Sequence, residues 1–560
     1  MPFLHSSPEL QKQRRIAAEL LACTVWELFP TANLAGGGMT SYGFYYDFVF
    51  EQRVDETLLP LIETKLKAFV KEGHSLQMVT MMRQNAQDLL LHQQQPLLAE
   101  LVEQEEQNML NLVRINKFYG VCPFLDIASS DEIASLKLLE ISTEQEEQGD
   151  VYTRITGTCF SDNQILKKFL KLRESYFKKK NHQVLGPELN LFSFPSNLSP
   201  LECFWHPKGE IVKNLLQQWL EEELQNHFPF QKVHTPFVVQ EDKINLSTFE
   251  PFLYQDQTLT LSSTRLPQHI YLLKQNTVLS EEIRFLEWAL LYKNEASLLN
   301  EGLITLPCQL EDFTTIDCSA GQLSKEFISS LLFIEQIITI FDFEAQWYVI
   351  ASRQKSVNGR QEKETLKWMK KTLETLSLHF PLQEELLEEG CLEGPRLELR
   401  LADEMGREWA GPSLTIASNE ANILIRRAFG PLGRLIALLI ERWEGVFPLW
   451  LAPEQIRILA IGDLSHAYSK EVEASCRRRG LRAALDLRQV KLGEKIHSAE
   501  KEKIPYLLII GDQEIKKQSV TVRSMRRPGK SESMKLEEIL DLIQQECLRP
   551  KCTGPAEKNV

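Results

Sequence analysis

The feature that most constrains the fold is a regular alternation in the C-terminal part of the chain. From residue 456 onward, apolar runs at 457–462, 482–487, 506–510 and 519–524 are separated by segments of helical spacing at 464–478, 492–501 and 535–546. Strand followed by helix predicts an α/β domain of about 100 residues, because each apolar strand needs a helix to cover it. Nothing upstream alternates so evenly, and no internal repeat is visible. Ile16, Leu20, Leu21, Val25 and Leu28 share one face of a helix over 15–29. Gly36-Gly37-Gly38 predicts a turn and 43–50 an aromatic strand. Leu-, Gln- and Glu-rich helices are expected over most of 56–115, then strands near 136–142 and 151–157 around a polar loop at 144–150, making 1–160 an α+β unit. A linker helix over 163–181 and an amphipathic helix over 211–224 follow. Short strands then alternate with turns to about 320. A buried helix at 324–341, strands near 347–351 and 396–402, and an apolar helix through Leu432, Leu435, Ile436, Leu439, Ile440 and Trp443 complete the pattern. A chain of 560 residues is too long for one core, so three or four domains are expected.

The net charge of -14 argues against indiscriminate nucleic-acid binding but leaves room for a local basic face. Lys178-Lys179-Lys180 and Arg477-Arg478-Arg479 are the candidates, and the simpler reading of each is a solvated helix face. Ten cysteines without a C-x-x-C pair suit a reducing, cytoplasmic compartment. The start lacks a signal-peptide pattern. The most apolar stretch, 327–343, is interrupted by Glu335, Gln336 and Asp342, so it reads as a core helix and no membrane contact is expected.

Phe447-Pro448-Leu449-Trp450-Leu451-Ala452-Pro453, Asp486-Leu487-Arg488, Leu492-Gly493-Glu494-Lys495-Ile496, Lys503-Ile504-Pro505-Tyr506 and Gly511-Asp512 resemble, in order and spacing, the C-terminal domain of threonyl-tRNA synthetases. Arg154-Ile155-Thr156-Gly157-Thr158-Cys159-Phe160, Leu185-Gly186-Pro187-Glu188-Leu189-Asn190-Leu191-Phe192, Phe204-Trp205-His206-Pro207-Lys208-Gly209 and Gly406-Arg407-Glu408-Trp409 extend the resemblance over nearly the whole chain. It implies an α+β multidomain protein. An editing-type domain is expected at 1–160, without the family's N-terminal ubiquitin-like domain, and a linker helix at 161–195. A class II catalytic-like domain on an antiparallel sheet would occupy 196–446, and an α/β anticodon-binding domain 447–560.

The chemistry implied by the resemblance is preserved unevenly. Where the family's editing domain has two histidines four apart, this chain has Arg15 and Glu19, which at that spacing are expected to pair with each other. Of the family's later Cys and His, only Cys122 remains, with Asp126 at the histidine position. In motif 2, Glu295 is kept, Lys293 replaces one arginine and Pro307 falls at the second. Arg434 matches the motif 3 arginine, with one residue missing before it. The zinc-ligand positions fall at Val278, Thr315 and Arg426, so zinc is not expected. Cys308 and Cys318 read as core residues. ATP with Mg²⁺ is the family cosubstrate, and the altered arginines argue against its efficient use. Base-reading positions fall at Gln489, His497, Glu514 and Arg523, residue types that hydrogen-bond the edges of splayed bases. A surface ion pair between Glu514 and Arg523 is the simpler alternative.

Losses thus concentrate at chemistry while the C-terminal framework persists. The expectation is a tRNA-binding, threonyl-tRNA synthetase-like protein, with tRNA(Thr) as the family's ligand. Threonine activation would be impaired or lost and editing lost. A homodimer is expected through the 211–224 helix and Val233-His234-Thr235-Pro236. The alternatives are an active threonine–tRNA ligase, a zinc-free ligase for another amino acid, and a dimeric interaction protein that no longer binds tRNA.

Overall fold

The computed structural model describes residues 8–553 except 41, 52–53, 106–107, 123–128, 134, 146–150, 180, 196–197, 200, 241–251, 255–256, 276–282, 293–300, 320, 353–358, 376–381, 386–392, 418–421 and 526–530. It divides into two compact units, one comprising residues 1–175 with 405–407, the other 176–404 with 408–560.

In the first unit, helix Pro8–Leu28 lies on a four-stranded antiparallel sheet in the order Asn33–Thr40, Gly43–Val49, Val151–Phe160, Ser135–Gln145. Ile16, Leu20, Leu21 and Val25 meet Phe44, Phe48 and Ile155 in one core. The glycines at 36–38 are not a turn. They sit inside the first strand, paired with Tyr45, Tyr46 and Asp47. A Cβ at Gly37 would come within 2.2 Å of the Tyr46 ring and one at Gly38 within 2.8 Å of Tyr45, so the tyrosines require a bare backbone there. Helix does occupy most of 56–115, but strands share the range. Helices Leu59–Lys71, Arg83–His92 and Pro96–Gln104 are interleaved with strands Leu76–Met82 and Met109–Ile115, which pair with each other, the second also pairing with Phe118–Val121. Leu, Met and Gln favour helix locally, and only the non-local pairing overrides them. Part of the predicted loop, 146–150, lies outside the described residues.

The second unit is built on an eight-stranded sheet. Its order is Gln231–Lys232, Ile283–Tyr292, Cys308–Asp317, Ile423–Arg427, Glu408–Ala417, Glu393–Ala402, Ala345–Ser352, Leu382–Glu385. All neighbours are antiparallel except the pair at each edge. Successive side chains alternate between faces. Leu286, Ile316, Leu397, Leu414 and Leu424 point to the back, into the core formed with helices Pro207–His227, Leu323–Ile340 and Leu432–Arg442. Ala289, Leu291, Phe313, Ile423 and Ile425 point to the front, under helix Leu266–Gln275. Pro207 at the first helical position supplies a preset φ, which begins the long helix sharply.

The C-terminal sheet runs in the order Ala483–Asp486, Ile456–Ala460, Tyr506–Ile510, Ser519–Ser524, Ser531–Lys535, the first three strands parallel and the last two antiparallel. Tyr506-Leu507-Leu508-Ile509-Ile510 is apolar without interruption because both faces are covered. Helices His466–Arg478 and Leu536–Glu546 cover one face and Leu492–Lys501 the other. Helix Asp512–Lys517 and the edge strand Ser531–Lys535 are additions to the expected elements. The strand's Ser-Glu-Ser-Met-Lys sequence has no apolar alternation to reveal it.

Candidate functional site

Beyond the carboxyl ends of the parallel strands Ile456–Ala460 and Ala483–Asp486 lies an open cleft of about 810 Å³. This is where open α/β sheets place their ligands. Gly462, Asp463, His466, Gln489, Lys491 and Glu494 contribute to its walls. Gly462 adopts φ +72, a left-handed turn that leaves open space beside it. The Gln489 amide donates to Asp463 (3.3 Å). Arg488 is tied to Asp486 (2.6 Å). Helix Leu492–Lys501 starts at this cleft, carries His497 on its exposed side, and reaches Glu500, which accepts from Arg523 (2.7 Å). Arg523 stands opposite Leu507 and Thr521 opposite Ile509, so both share the face on which that helix packs. Glu514 accepts from Thr521 Oγ1 (2.8 Å) and from the backbone N–H of Gly511 (2.9 Å). Burial raises the Glu514 carboxyl, but these donors outweigh it and the group titrates below its ordinary value.

The four predicted base-reading residues therefore border one side of the domain. Glu514 and Arg523 do not form the simple ion pair considered from the sequence: on the same face of strand Ser519–Ser524, Glu514 meets Thr521, two residues away from Arg523, which meets Glu500. Three exposed apolar side chains around the cleft, Ile461, Leu464 (79% exposed) and Val490, were not anticipated. Their only signal in the sequence is apolar residues continuing past the strand ends. The Arg477–Arg479 triplet is largely neutralised. Arg477 pairs with Glu473 (2.8 Å), Arg478 donates to Ser475 (3.0 Å), and Arg479 is held by Glu537 and Asp541. Of the other triplet, Lys178 and Lys179 end helix Asn163–Lys179 and Lys180 lies outside the described residues.

On the large sheet, Lys293, Glu295 and Val278 lie outside the described residues. Pro307 precedes strand Cys308–Asp317. Arg434 is buried and donates Nε to the carbonyl of Ile304 and Nη1 to that of Ala410 (2.8 Å each). Thr315 and Arg426 do not come together. Thr315 pairs with Ile425 and Arg426 with Thr314, so Thr315 faces front and Arg426 faces back. Two ligands of one ion must share a face. Across the two strands Thr315 stands opposite Ile425 and not opposite Arg426. Arg426 lies over the Phe228 ring (4.4 Å), contacts Ser330 (3.3 Å), and burial pushes its guanidinium down to about 10. His269 was missed in the sequence, where it is a lone histidine on an apolar helix. It bridges Thr315 (2.8 Å) and Glu287 (3.1 Å), and Glu287 also accepts from the N–H and hydroxyl of Thr235.

Charges on this front face are matched one to another. Arg265 lies 3.8 Å from Glu287, Arg427 lies 2.9 Å from Glu311, and Arg396 and Arg400 both bond Glu398. Zinc does not fit these residues: the Thr315 hydroxyl and the Arg426 guanidinium stand in place of nitrogen or sulfur donors. Among the described residues no group of three or more His, Cys, Asp or Glu could hold a metal. Cys308 and Cys318 are buried, and the Cys318 thiol donates to the carbonyl of Asn422 (3.5 Å).

In the first unit, Arg15 and Glu19 form the expected pair (2.7 Å), and Arg15 also donates to the carbonyl of Val121 (2.6 Å). Burial raises the Glu19 carboxyl despite Arg15. A Cβ at Gly120 would meet Glu19 Oε2 at 2.0 Å, so a glycine is needed beside the pair. Cys122 is buried and Asp126 lies outside the described residues.

Residues 455–546 match the family described as anticodon binding domain. A threonine–tRNA ligase of Oleidesulfovibrio alaskensis is 27% identical over 588 aligned positions, covering 99% of this chain and 90% of that protein. Among solved structures, the fold is similar to the RNA binding domain of threonyl-tRNA synthetase from Cryptosporidium parvum Iowa II, with TM-score 0.60, 23% identity, and coverage of 66% of this chain and 98% of that one. It is also similar to Giardia lamblia prolyl-tRNA synthetase, with TM-score 0.51, 12% identity, and coverage of 67% and 79%. The antiparallel sheet and the C-terminal domain are those of a class II aminoacyl-tRNA synthetase, in a mixed α/β multidomain chain. Within that class the chain is threonyl-tRNA synthetase-like. Among the described residues no helix is long and apolar enough to cross a membrane.

Proposed function

We propose that this chain binds tRNA, with tRNA(Thr) as its natural ligand, and that its threonine activation and editing are impaired or lost. The observation that carries this reading is the contrast in availability between two sets of polar groups. Gln489 lines the open cleft, His497 is exposed, and Glu514 and Arg523 are half-exposed, so all four can exchange their present partners for base edges. The front-face arginines Arg265 and Arg427 are buried against carboxylates, and a phosphate would have to displace those partners in a low-dielectric setting. Of the motif residues, Lys293, Glu295 and Arg434 remain to meet ATP and Mg²⁺. Loss of a single charge-stabilising donor costs on the order of 10²–10³ in rate. The Arg15–Glu19 pair fills the editing-type site and leaves Cys122 as a remnant.

The reading includes domains at 1–160, 161–195, 196–446 and 447–560. It also includes a homodimer through helix Pro207–His227 and residues 233–236, and a reducing, cytoplasmic location suited to cysteines that form no disulfide among the described residues. A zinc-free ligase for another amino acid is the second reading. It is favoured by the His269–Thr315–Glu287 set on the front face, which offers polar contacts to a substrate. ATP–pyrophosphate exchange across the twenty amino acids decides between the two. No exchange above background is expected. Threonine-dependent exchange at an ordinary turnover of about 1–10³ s⁻¹ overturns the first reading, and exchange with a different amino acid establishes the second.

A further inference from the structure

The segment after helix Leu536–Glu546 returns to helix Pro207–His227 and is fastened there through Arg549, Pro550 and Cys552. Arg549 Nη1 reaches both oxygens of Glu222 (2.8 Å each). Trp219 Nε1 donates to the carbonyl of Pro550 (2.8 Å). The N–H of Cys552 donates to Glu223 (2.8 Å), and His227 Nε2 lies 3.2 Å from the Cys552 carbonyl. The N–H of Thr553 donates to Gln336 (2.7 Å) on helix Leu323–Ile340. The Cys552 side chain is buried in the main core.

A second fastening lies near the other end of the same helix. Lys208 bonds Glu502 (2.8 Å) and approaches Glu454 (3.3 Å), and both carboxylates hold Arg457. Residues 208 and 222 are separated by roughly 21 Å of helix. One fastening leaves a domain able to pivot, whereas two at that separation fix its orientation. They differ in exposure: the Glu222 and Arg549 side chains are 60% and 31% exposed, those of Lys208, Glu454 and Glu502 23%, 9% and 30%. Solvent and salt weaken the first pair more than the second.

We propose that residues 549–553 are a releasable strap: closed, it locks the 455–546 domain to helix Pro207–His227, and open, it leaves that domain to pivot about Lys208. This inference is independent of whether RNA is the ligand. Cys552 supplies the readout, since burial beside Glu223 pushes its thiol up to about 12 and keeps it unreactive while the strap is closed.

The experiment treats the full chain with N-ethylmaleimide and follows Cys552 and Cys476 separately by peptide mass. Cys476 is wholly buried in the C-terminal core and reports unfolding of that domain. Cys552 in the unaltered protein should react at least about 100-fold more slowly than in the urea-unfolded chain, but faster than Cys476. Arg549→Ala, Glu222→Arg and a rise to 0.5 M salt should each speed Cys552 by about 3–10-fold without moving Cys476. Combining Glu222→Arg with Arg549→Glu should restore the slow rate. Three results overturn the proposal: Cys552 reacting at the unfolded rate in the unaltered protein, Cys552 and Cys476 changing in parallel, or the charge swap failing to restore protection.

Discussion

The front of the large sheet and the outer side of the C-terminal domain use the same residue types and leave them in opposite states. Arg265, Arg427 and Glu287 are buried in matched pairs. Arg523 is paired as well, but at a half-exposed edge where water and a ligand can compete. An arginine's identity therefore says little about its use. What matters is how much free energy is needed to separate it from its present partner: small at the surface, several kcal/mol in the interior.

The sharpest test of this contrast is Glu287→Ala. It orphans His269, Thr235 and Arg265 inside the protein and should cost about 3–5 kcal/mol of stability, seen as a lowered denaturation midpoint, whereas Glu514→Ala, which removes two half-exposed hydrogen bonds, should cost only about 1 kcal/mol. Equal losses at the two sites would break the comparison. Next is Arg523→Ala, expected to cost about 1–3 kcal/mol in discrimination among anticodons with little effect on folding. A titration showing equal weakening for every RNA would contradict it.

The domain junction lies between the two extremes. Hydrogen bonds from Arg457, opposed by burial and aided by Lys208, hold the Glu502 carboxyl down to about 2. Because its folded value lies below its unfolded one, its contribution to stability is fully present above pH about 4.5 and is lost as pH falls toward 2. Thermal melts between pH 2.5 and 6 should show this acid loss in the unaltered chain and a flatter profile in Glu502→Gln. Identical profiles would remove Glu502 from the junction. The smallest effect is expected for Arg478→Ala: under about 1 kcal/mol in tRNA affinity, alike for all anticodons, with a slightly shallower salt dependence. A change in anticodon preference would contradict a purely electrostatic role.

The strand–helix alternation after residue 456, the long helix before residue 228 and the Arg15–Glu19 pair were all legible in the sequence. Each depends on a period of two or on i,i+4 geometry, which a few neighbouring residues set by themselves. The strands at 76–82 and 109–115 were not legible, because residues with local helix preference become strands only when each finds the other. The same holds for the sites. Whether Arg426 faces front or back, whether Glu514 meets Arg523 or Thr521, and whether His269 reaches Glu287 are matters of sheet register and face. A shift of one residue reverses every side chain on a strand, and burial of the whole apolar set selects the register. The sequence alone thus determined the order and kind of most elements and the local pairs within them. Only the tertiary structure decided which charges are locked inside and which remain within reach of a ligand, because that depends on contacts between residues far apart in the chain.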